Sequence, residues 1–246
     1  MLEVRDLHMR FGKVTALAGV SFEAPDGRIT GLLGENGAGK TTTLNILSGL
    51  HQPDRGDIRV DGHAASAPMD RRRSIGALLD QRGLYPRLTT RENVAYFGSL
   101  RGLTGFELER QVDRALALVG LETIGNRRTE GFSQGERMKV ALARAIVHSP
   151  RNLVLDEPTN GLDIPSARSF KDSLREMRDR GVCIVFSSHI LGDIAALCDN
   201  VVIISKGRTV ARGEPTALCQ QAGCTTLEET FIRVTRREEP LPCLPA

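Results

Sequence analysis

Short apolar runs alternate with amphipathic stretches along most of the chain. Residues 1–30 alternate apolar and polar positions between glycines, which predicts short antiparallel strands. Four later runs are short and mostly apolar, as buried strands are: 29–33, 153–155, 182–186 and 201–204. Helical patterns lie between them at about 40–50, 166–180 and 190–198. Buried strands that alternate with helices predict an α/β fold with a mainly parallel sheet covered on both faces.

The pattern becomes purely helical between residues 83 and 149. Residues 107–119 place four apolar side chains on one side of a helix, and residues 137–147 repeat that spacing. We therefore expect an all-helical subdomain at 83–149, inserted into a larger domain.

The segments on either side of the insertion would form the frame of that domain. Residues 1–82 and 150–235 would supply its core, including the antiparallel β subdomain near the N-terminus, so that one domain spans 1–235. Residues 236–246 contain three prolines and four charged residues, a composition typical of a disordered tail.

The charge and composition of the chain limit the classes of partner that we expect it to bind. The net charge is +3, and aromatic residues make up 4% of the 246 positions. The sequence has no basic arm or patch with interleaved aromatic residues. We therefore do not expect nucleic acid as a partner. The basic run at Arg71, Arg72 and Arg73 is interpreted as a solvated helix or loop face.

The sequence gives no indication of secretion or of a membrane span. Residues 1–6 are charged and alternating, unlike a signal peptide, and no apolar run approaches the roughly 20 residues that cross a bilayer. A role at a membrane would therefore be that of a peripheral subunit. The five cysteines form no CxxC pair, so we expect reduced thiols of a cytosolic protein: Cys183, Cys198, Cys219, Cys224 and Cys243.

The segment after the strand at 29–33 fits the pattern G-x-x-x-x-G-K-[ST]. Its glycines allow the backbone N–H groups to surround phosphate oxygens, and the following helix adds its positive N-terminus. Lys40 would reach the β- and γ-phosphates, and the Thr41 hydroxyl would bind magnesium. The alternative, a strand-to-helix turn without a ligand, is disfavoured by the position of the motif between a strand and a helix. The predicted loop comprises Gly34, Glu35, Asn36, Gly37, Ala38, Gly39, Lys40, Thr41 and Thr42.

Two consecutive carboxylates end the apolar strand at 153–155. The C-terminal edge of a parallel sheet is where such folds bind ligands. Beside a phosphate loop, Asp156 would hold magnesium through water and Glu157 would act as general base for the attacking water. The alternative is a carboxylate that only caps the next helix.

Several further motifs occur in an order that resembles the ATP-binding subunits of ABC transporters, over residues 1 to about 215. Residues 132–136, Phe-Ser-Gln-Gly-Glu, resemble the family signature LSGGQ, and Ser187-Ser188-His189 resembles the switch histidine. Phe11 matches the aromatic that stacks on adenine, and Gln81 matches the glutamine that links the core to the helical insertion. Residues 160–163, Asn-Gly-Leu-Asp, match the loop that crosses the dimer interface.

This resemblance implies a P-loop NTPase of RecA-like fold that hydrolyses ATP with Mg²⁺ as a head-to-tail dimer. Each ATP would lie between the phosphate loop of one copy and Ser133 and Gly135 of the other, with Asp163 near the interface. His189 would contact the γ-phosphate and hold the geometry of Glu157. Gln81 is assigned both to the catalytic group and to the magnesium ligands. The second copy is the same chain or a paralogue, and separate permease subunits would place the chain at the cytoplasmic face of the cell membrane.

Each match also has an ordinary alternative. Phe11 is equally interpretable as a core aromatic, Gln81 as a surface glutamine and His189 as a capping or core histidine. Ser133 with Glu136 forms a capping-box pattern, which is compatible with the signature because a capped helix N-terminus is what the family presents to phosphate.

The chain departs from the family pattern at three positions. Gln134 replaces a glycine of the signature, Glu136 stands where glutamine is usual, and Asn152 replaces an apolar strand residue. Within the family, the motifs look like those of exporters, most similar to bacterial sodium-efflux ATPase subunits of the NatA type. Drug or lipid exporters of the same branch, and a soluble ABC ATPase without a transport role, are the alternatives.

Overall fold

The structure is a computed structural model that describes residues 1–79 and 83–236. Ten strands lie within these ranges: β1 Leu2–Phe11, β2 Val14–Ala24, β3 Ile29–Leu33, β4 Arg55–Val60, β5 His63–Ala64, β6 Ile75–Leu78, β7 Asn152–Asp156, β8 Cys183–Ser188, β9 Asn200–Ser205 and β10 Arg208–Gly213. The α-helices of the described residues are α1 Lys40–Leu47, α2 Pro68–Ser74, α3 Thr90–Leu100, α4 Gly105–Leu118, α5 Gln134–Ile146, α6 Ile164–Asp179, α7 Leu191–Leu197, α8 Pro215–Ala222 and α9 Leu227–Arg236.

The strands form two sheets. The larger has the order β10-β9-β3-β8-β7-β6 and is parallel except for β10, which pairs antiparallel to β9. The smaller is antiparallel, with the order β2-β1-β4-β5. The predicted α/β class, with a mainly parallel sheet and an antiparallel β portion, is confirmed.

The parallel sheet is covered on both faces because its central strands are buried throughout. All five residues of β3 and all six of β8 are buried. Alternate residues of a strand point to opposite faces, and Leu33 belongs to one apolar core while Leu32 belongs to the other. One core contains helical residues such as Leu142, and the other contains residues of the antiparallel sheet such as Phe22.

Helices α3, α4 and α5 lie where the sequence predicts a helical insertion. Their apolar side chains, including Val94, Val112 and Leu142, are buried in one cluster. Helix α3 begins at a capping box formed by Thr89 and Glu92. The boundaries of the subdomain at 83 and 149 stay a prediction.

The basic run at 71–73 corrects one expectation. Arg72 and Arg73 are exposed, but Arg71 is completely buried, so the prediction of a solvated face is wrong for that residue. The Arg71 guanidinium donates to the carbonyl oxygens of Ala65 and Ser66 at 2.6 and 2.8 Å. It also donates to the His51 carbonyl and the Gln52 side chain at 3.2 and 3.1 Å. Its two terminal nitrogens therefore have four oxygen partners inside the protein that sequence spacing does not reveal.

Asn152 is buried because its amide has polar partners at the base of the sheet. Its Nδ2 donates to Asp61 at 3.1 Å, and its Oδ1 accepts from the amine of Met1 at 3.0 Å. A polar residue in this buried strand is therefore a hydrogen-bonded link between β7 and the antiparallel sheet.

The described cysteines agree with the expectation of free thiols. Cys183, Cys198, Cys219 and Cys224 form no disulfide, and Cys243 lies outside the described residues. Burial raises the pKa of the Cys183 thiol to about 12 and raises the pKa of Cys198 as well, so both stay protonated.

Of the proposed tail, Arg236 belongs to α9 and is helical, which corrects its boundary by one residue, while the rest lies outside the described residues. Among the described helices, none has the length and apolarity to cross a bilayer.

We expect Arg71→Met to lower the free energy of unfolding by about 2–3 kcal/mol, because several buried acceptors lose a charged donor. Chemical denaturation followed by circular dichroism measures this change. Arg73→Met, at an exposed position of the same helix, is the matched control and should change stability by less than about 0.5 kcal/mol. Equal effects of the two substitutions would contradict the structural role assigned to Arg71.

Candidate functional site

The site forms where three parallel strands end at the same edge of the sheet. In the register of the sheet, Leu33 of β3 pairs with Ser188 of β8, and Asp156 of β7 pairs with Ser187. The loops that follow these strands therefore begin side by side. The predicted phosphate loop, the two carboxylates and the predicted switch histidine meet at this edge, as expected for parallel sheets.

The loop after β3 requires glycine at positions where other residues do not fit. A Cβ atom on Gly34 would lie 2.5 Å from the Ile204 carbonyl oxygen, and one on Gly39 would lie 2.7 Å from a methyl group of Leu17. Gly37 and Gly39 have φ of 81° and 111°, which favours glycine. Helix α1 starts directly after this loop, so its unpaired N–H groups and the positive end of its dipole lie at the loop.

Lys40 joins the phosphate loop to the second carboxylate. Its side chain is buried, and Nζ donates to the carbonyl oxygens of Gly34 at 2.8 Å and Glu35 at 3.3 Å. Nζ also lies 3.8 Å from Oε1 of Glu157. A positive charge is therefore held between the loop and the end of β7.

Ser187 holds both carboxylate residues at the end of β7. Its hydroxyl donates to Oδ1 of Asp156 and accepts from the backbone N–H of Glu157 at 2.9 Å. The same N–H also donates to the Ser187 carbonyl at 3.2 Å. Glu157 has a φ of 47°, a left-handed conformation that costs a non-glycine residue about 1–3 kcal/mol. The hydrogen bonds to β8 stabilise this turn. As a result, the two consecutive carboxylates have different partners, Ser187 for Asp156 and Lys40 for Glu157.

His189 contacts the second carboxylate directly. Its Nδ1 lies 2.5 Å from Oε2 of Glu157. With Glu157 ionised, Nδ1 is the protonated ring nitrogen and donates this hydrogen bond. His189 is 44% exposed, which excludes its interpretation as a core histidine.

Lys40, Glu157 and His189 line one open cavity of about 620 Å³, within the range of ligand sites, whereas Asp156 is not among its described lining residues. Phe11 contributes to its wall, is 45% exposed and packs edge-on against His51, so it is not a core aromatic. The described residues that line the cavity are Phe11, Val14, Thr15, Ala16, Glu35, Asn36, Gly37, Gly39, Lys40, Thr41, Thr42, Glu157, Asn160 and His189.

The predicted signature lies at the start of α5 and is capped as its pattern suggests. The Ser133 hydroxyl accepts from the N–H of Glu136 at 3.2 Å, and the Glu136 carboxylate accepts from the N–H of Ser133 at 2.8 Å. Gly135 is buried against Ser166, where a Cβ atom would lie 2.4 Å from the Ser166 hydroxyl. Among the described residues, neither Ser133 nor Gly135 lines the cavity of its own chain.

Another predicted site residue, Asp163, lies at the start of α6. The Asp163 carboxylate caps α6 by accepting from the N–H of Ser166 at 2.7 Å, and this bond lowers the pKa of Asp163. Asp163 also lies outside the described lining of the cavity. The prediction for Gln81 falls outside the described residues.

Sequence patterns missed some of the residues near the site. Val14, Thr15 and Ala16 of β2 line the cavity because the antiparallel sheet packs against the phosphate loop, a contact that alternation along a strand does not predict. Gln134, which departs from the signature pattern, forms a hydrogen bond to another loop. Its Nε2 donates to the carbonyl oxygen of Asn160 at 3.0 Å. This bond links the signature helix to the loop after Glu157 within one chain.

The residues present fit a nucleoside triphosphate with magnesium. The glycine loop leaves no space for side chains at two positions, and Lys40 supplies a buried positive charge beside it. Among the described residues, we find no group of three or more His, Cys, Asp or Glu that would hold a metal ion. Mg²⁺ is commonly held by one or two protein oxygens together with phosphates and water, and Thr41 and Asp156 provide such oxygens.

A glycine loop, a buried lysine and two carboxylates at the end of a parallel strand define a P-loop ATPase. The family model for ABC transporters matches residues 17–160, more than half of the chain. The chain therefore belongs to the ABC transporter family, and it is an ATP-binding cassette whose characteristic activity is ATP hydrolysis.

Known proteins resemble the chain over nearly its full length. It is 38% identical to the ABC transporter ATP-binding protein NatA of Bacillus subtilis, over 94% of this chain and 97% of that protein. It is 34% identical to the linearmycin resistance ATP-binding protein LnrL of Bacillus subtilis, over 94% of this chain and 75% of that protein. A solved structure of an ATP-binding subunit of an ABC transporter superposes with a TM-score of 0.85 at 31% identity, over 96% of this chain and 100% of that one.

We expect Lys40→Ala to weaken ATP binding by about 10- to 100-fold, because the triphosphate loses a charged donor at the loop. Titration with a fluorescent ATP analogue measures the affinity. Lys139→Ala on α5 removes the same charge away from the cavity and should leave the affinity unchanged. Unaltered affinity in Lys40→Ala would contradict the assignment of the loop.

Proposed function

We propose that the chain hydrolyses ATP to power export across the cytoplasmic membrane through separate membrane-spanning subunits. The observation that carries the hydrolytic part is the contact of Glu157 with both Lys40 and His189 at one cavity. The transport part rests on membership of the family and on the relatives' names.

The geometry supports a direct role for each of these residues in hydrolysis. Lys40 binds the β- and γ-phosphates at the phosphate loop. Glu157 accepts a proton from the attacking water, whose oxygen bonds to the γ-phosphorus as the bond to the bridging oxygen breaks. His189 keeps the Glu157 carboxylate in place and contacts the γ-phosphate. Mg²⁺, held by the Thr41 hydroxyl and by Asp156 through water, would neutralise phosphate charge.

The signature residues support a site that is completed by a second copy. In a head-to-tail dimer, Ser133 and Gly135 of one copy would face the γ-phosphate bound by the other, since they do not line their own described cavity. The capping box supports this role because it fixes the N-terminus of α5, where N–H groups attract anions. Asp163, with the loop that precedes it, would lie near the interface. Adenine would stack on the exposed face of Phe11.

A groove on the helical insertion supports contact with a membrane subunit. Leu84, Pro86 and Met138 line it, in a cavity of about 590 Å³ beside the signature. The neighbouring Tyr85 is 45% exposed. We infer that a coupling element of a permease docks in this groove, which would place the chain at the cytoplasmic face of the membrane.

The candidate cargoes of the export are sodium, a drug and a lipid. The resemblance to subunits of the NatA type supports sodium efflux, and similarity to a protein named for linearmycin resistance supports a drug as the alternative. Lipid export by the same mechanism and a soluble role outside transport are further alternatives. Vesicle transport by the assembled complex, tested with sodium, drugs and lipids, separates them, and co-purification without any membrane partner would favour the soluble role.

We expect Glu157→Gln to bind ATP with unchanged affinity but to release phosphate at least about 100-fold more slowly, because it lacks the proton acceptor. ATP binding without hydrolysis should accumulate dimers. A phosphate-release assay and sedimentation velocity with and without ATP measure the two effects.

Glu23→Gln, at an exposed position of β2, is the matched control and should hydrolyse ATP normally. Normal hydrolysis by Glu157→Gln would contradict the assignment of the base. A variant that binds ATP but stays monomeric, with the membrane partner supplied, would contradict the shared site.

A further inference from the structure

A second link joins the loop that carries Glu157 to helix α7, which begins two residues after His189. The Thr159 hydroxyl donates to Oδ2 of Asp193 at 2.5 Å, and Nζ of Lys171 pairs with Oδ1 of the same carboxylate. Each carboxylate oxygen thus has its own partner. The Asp193 and Lys171 side chains are 14% and 16% exposed, and Thr159 is 6% exposed, so this cluster lies largely away from solvent.

The two links join the same pair of chain segments. Glu157 and Thr159 lie two residues apart after β7, while His189 and Asp193 lie four residues apart after β8. The Glu157–His189 contact is open to the cavity, and the Thr159–Asp193 contact is the more buried of the two.

Backbone hydrogen bonds make each segment a compact turn. After β7, the N–H of Asn160 donates to the Glu157 carbonyl at 3.1 Å. After β8, the N–H of Asp193 donates to the Ile190 carbonyl at 3.1 Å, and the N–H of Ile190 donates to the Ser188 hydroxyl at 2.9 Å. A change in the distance between Thr159 and Asp193 therefore displaces Glu157 and His189 as well, because each pair is connected by a short hydrogen-bonded turn.

We propose that Asp193 is a positioning residue that sets the distance between Glu157 and His189. Lys171 fixes the orientation of its carboxylate, and Thr159 transmits its position to the loop of the catalytic base. This inference rests on the proposed roles of Glu157 and His189. A general base and its partner need a narrow range of geometries, and displacements of about 1 Å far from the reacting atoms cost up to 100-fold in rate.

Thr159 offers a cleaner test than Asp193. Removal of the carboxylate would leave the partly buried Lys171 charged and without this partner, which destabilises proteins for reasons unrelated to position. Thr159→Val keeps the shape of the side chain and removes only the hydroxyl, and Thr159→Ser keeps the hydroxyl. Thr230→Val in α9 is the matched control, because Thr230 is also buried and its hydroxyl donates one hydrogen bond, to the Thr226 carbonyl at 2.9 Å.

The experiment measures kcat, KM for ATP and thermal stability for the three variants in the full chain with its membrane partner. Thr159→Val should lower kcat by about 10- to 100-fold with KM changed less than about twofold, while Thr159→Ser should restore most of kcat. Thr230→Val should match Thr159→Val in stability but keep normal kcat. Normal kcat in Thr159→Val, or an equal loss in the Thr230→Val control, would overturn the inference.

A spectroscopic readout tests the geometry without nucleotide. Nitrogen NMR of the His189 ring, assigned with His189→Gln, should show a protected Nδ1 proton in the wild type and in Thr159→Ser, and its loss in Thr159→Val. An unchanged signal in Thr159→Val would overturn the inference.

The two hypotheses fail in distinguishable ways. If Glu157→Gln is inactive while Thr159→Val has normal kcat and an unchanged His189 signal, only the positioning role is wrong. If Glu157→Gln hydrolyses ATP normally, the proposed role of Glu157 as the base fails whatever Thr159 does.

Discussion

The pairing of β7 with β8 at Asp156 and Ser187 is the interaction on which the site depends. It brings two carboxylates to the sheet edge beside the phosphate loop, and the Ser187 hydroxyl and carbonyl hold the backbone turn at Glu157. Without these bonds, a left-handed conformation at Glu157 would be unfavourable. The strain is stabilised by β8, which is buried along its whole length, so a core strand sets the position of the proposed base.

From this edge, short contacts connect the site to the rest of the chain. Lys40 connects Glu157 to the phosphate loop, and Gln134 connects the signature helix to Asn160. A nucleotide that binds Lys40 would alter the charge that Glu157 experiences at 3.8 Å. Together with the hydrogen bond from the Asn160 N–H to the Glu157 carbonyl, these contacts form a continuous path from the phosphate loop to the helix of the signature.

The sequence predicted the elements whose pattern lies within a short stretch of neighbouring residues. The apolar strands, the glycine loop and the capping box at Ser133 each depend on neighbouring residues, and the structure has them where the patterns place them. It did not predict the burial of Arg71 or the cluster at Asp193, because their partners come from segments distant in sequence. Exposure of Phe11 likewise depends on how two sheets pack. Tertiary contacts of polar side chains are therefore what single-sequence patterns leave out.

The most direct test of the account is a crystal structure of the chain with Mg²⁺ and a non-hydrolysable ATP analogue. We expect the triphosphate to lie along residues 34–41, with its γ-phosphate nearest to Glu157 and His189 and the adenine against Phe11. A nucleotide bound away from this loop, or one that leaves Lys40 bonded only to the Gly34 and Glu35 carbonyls, would contradict it.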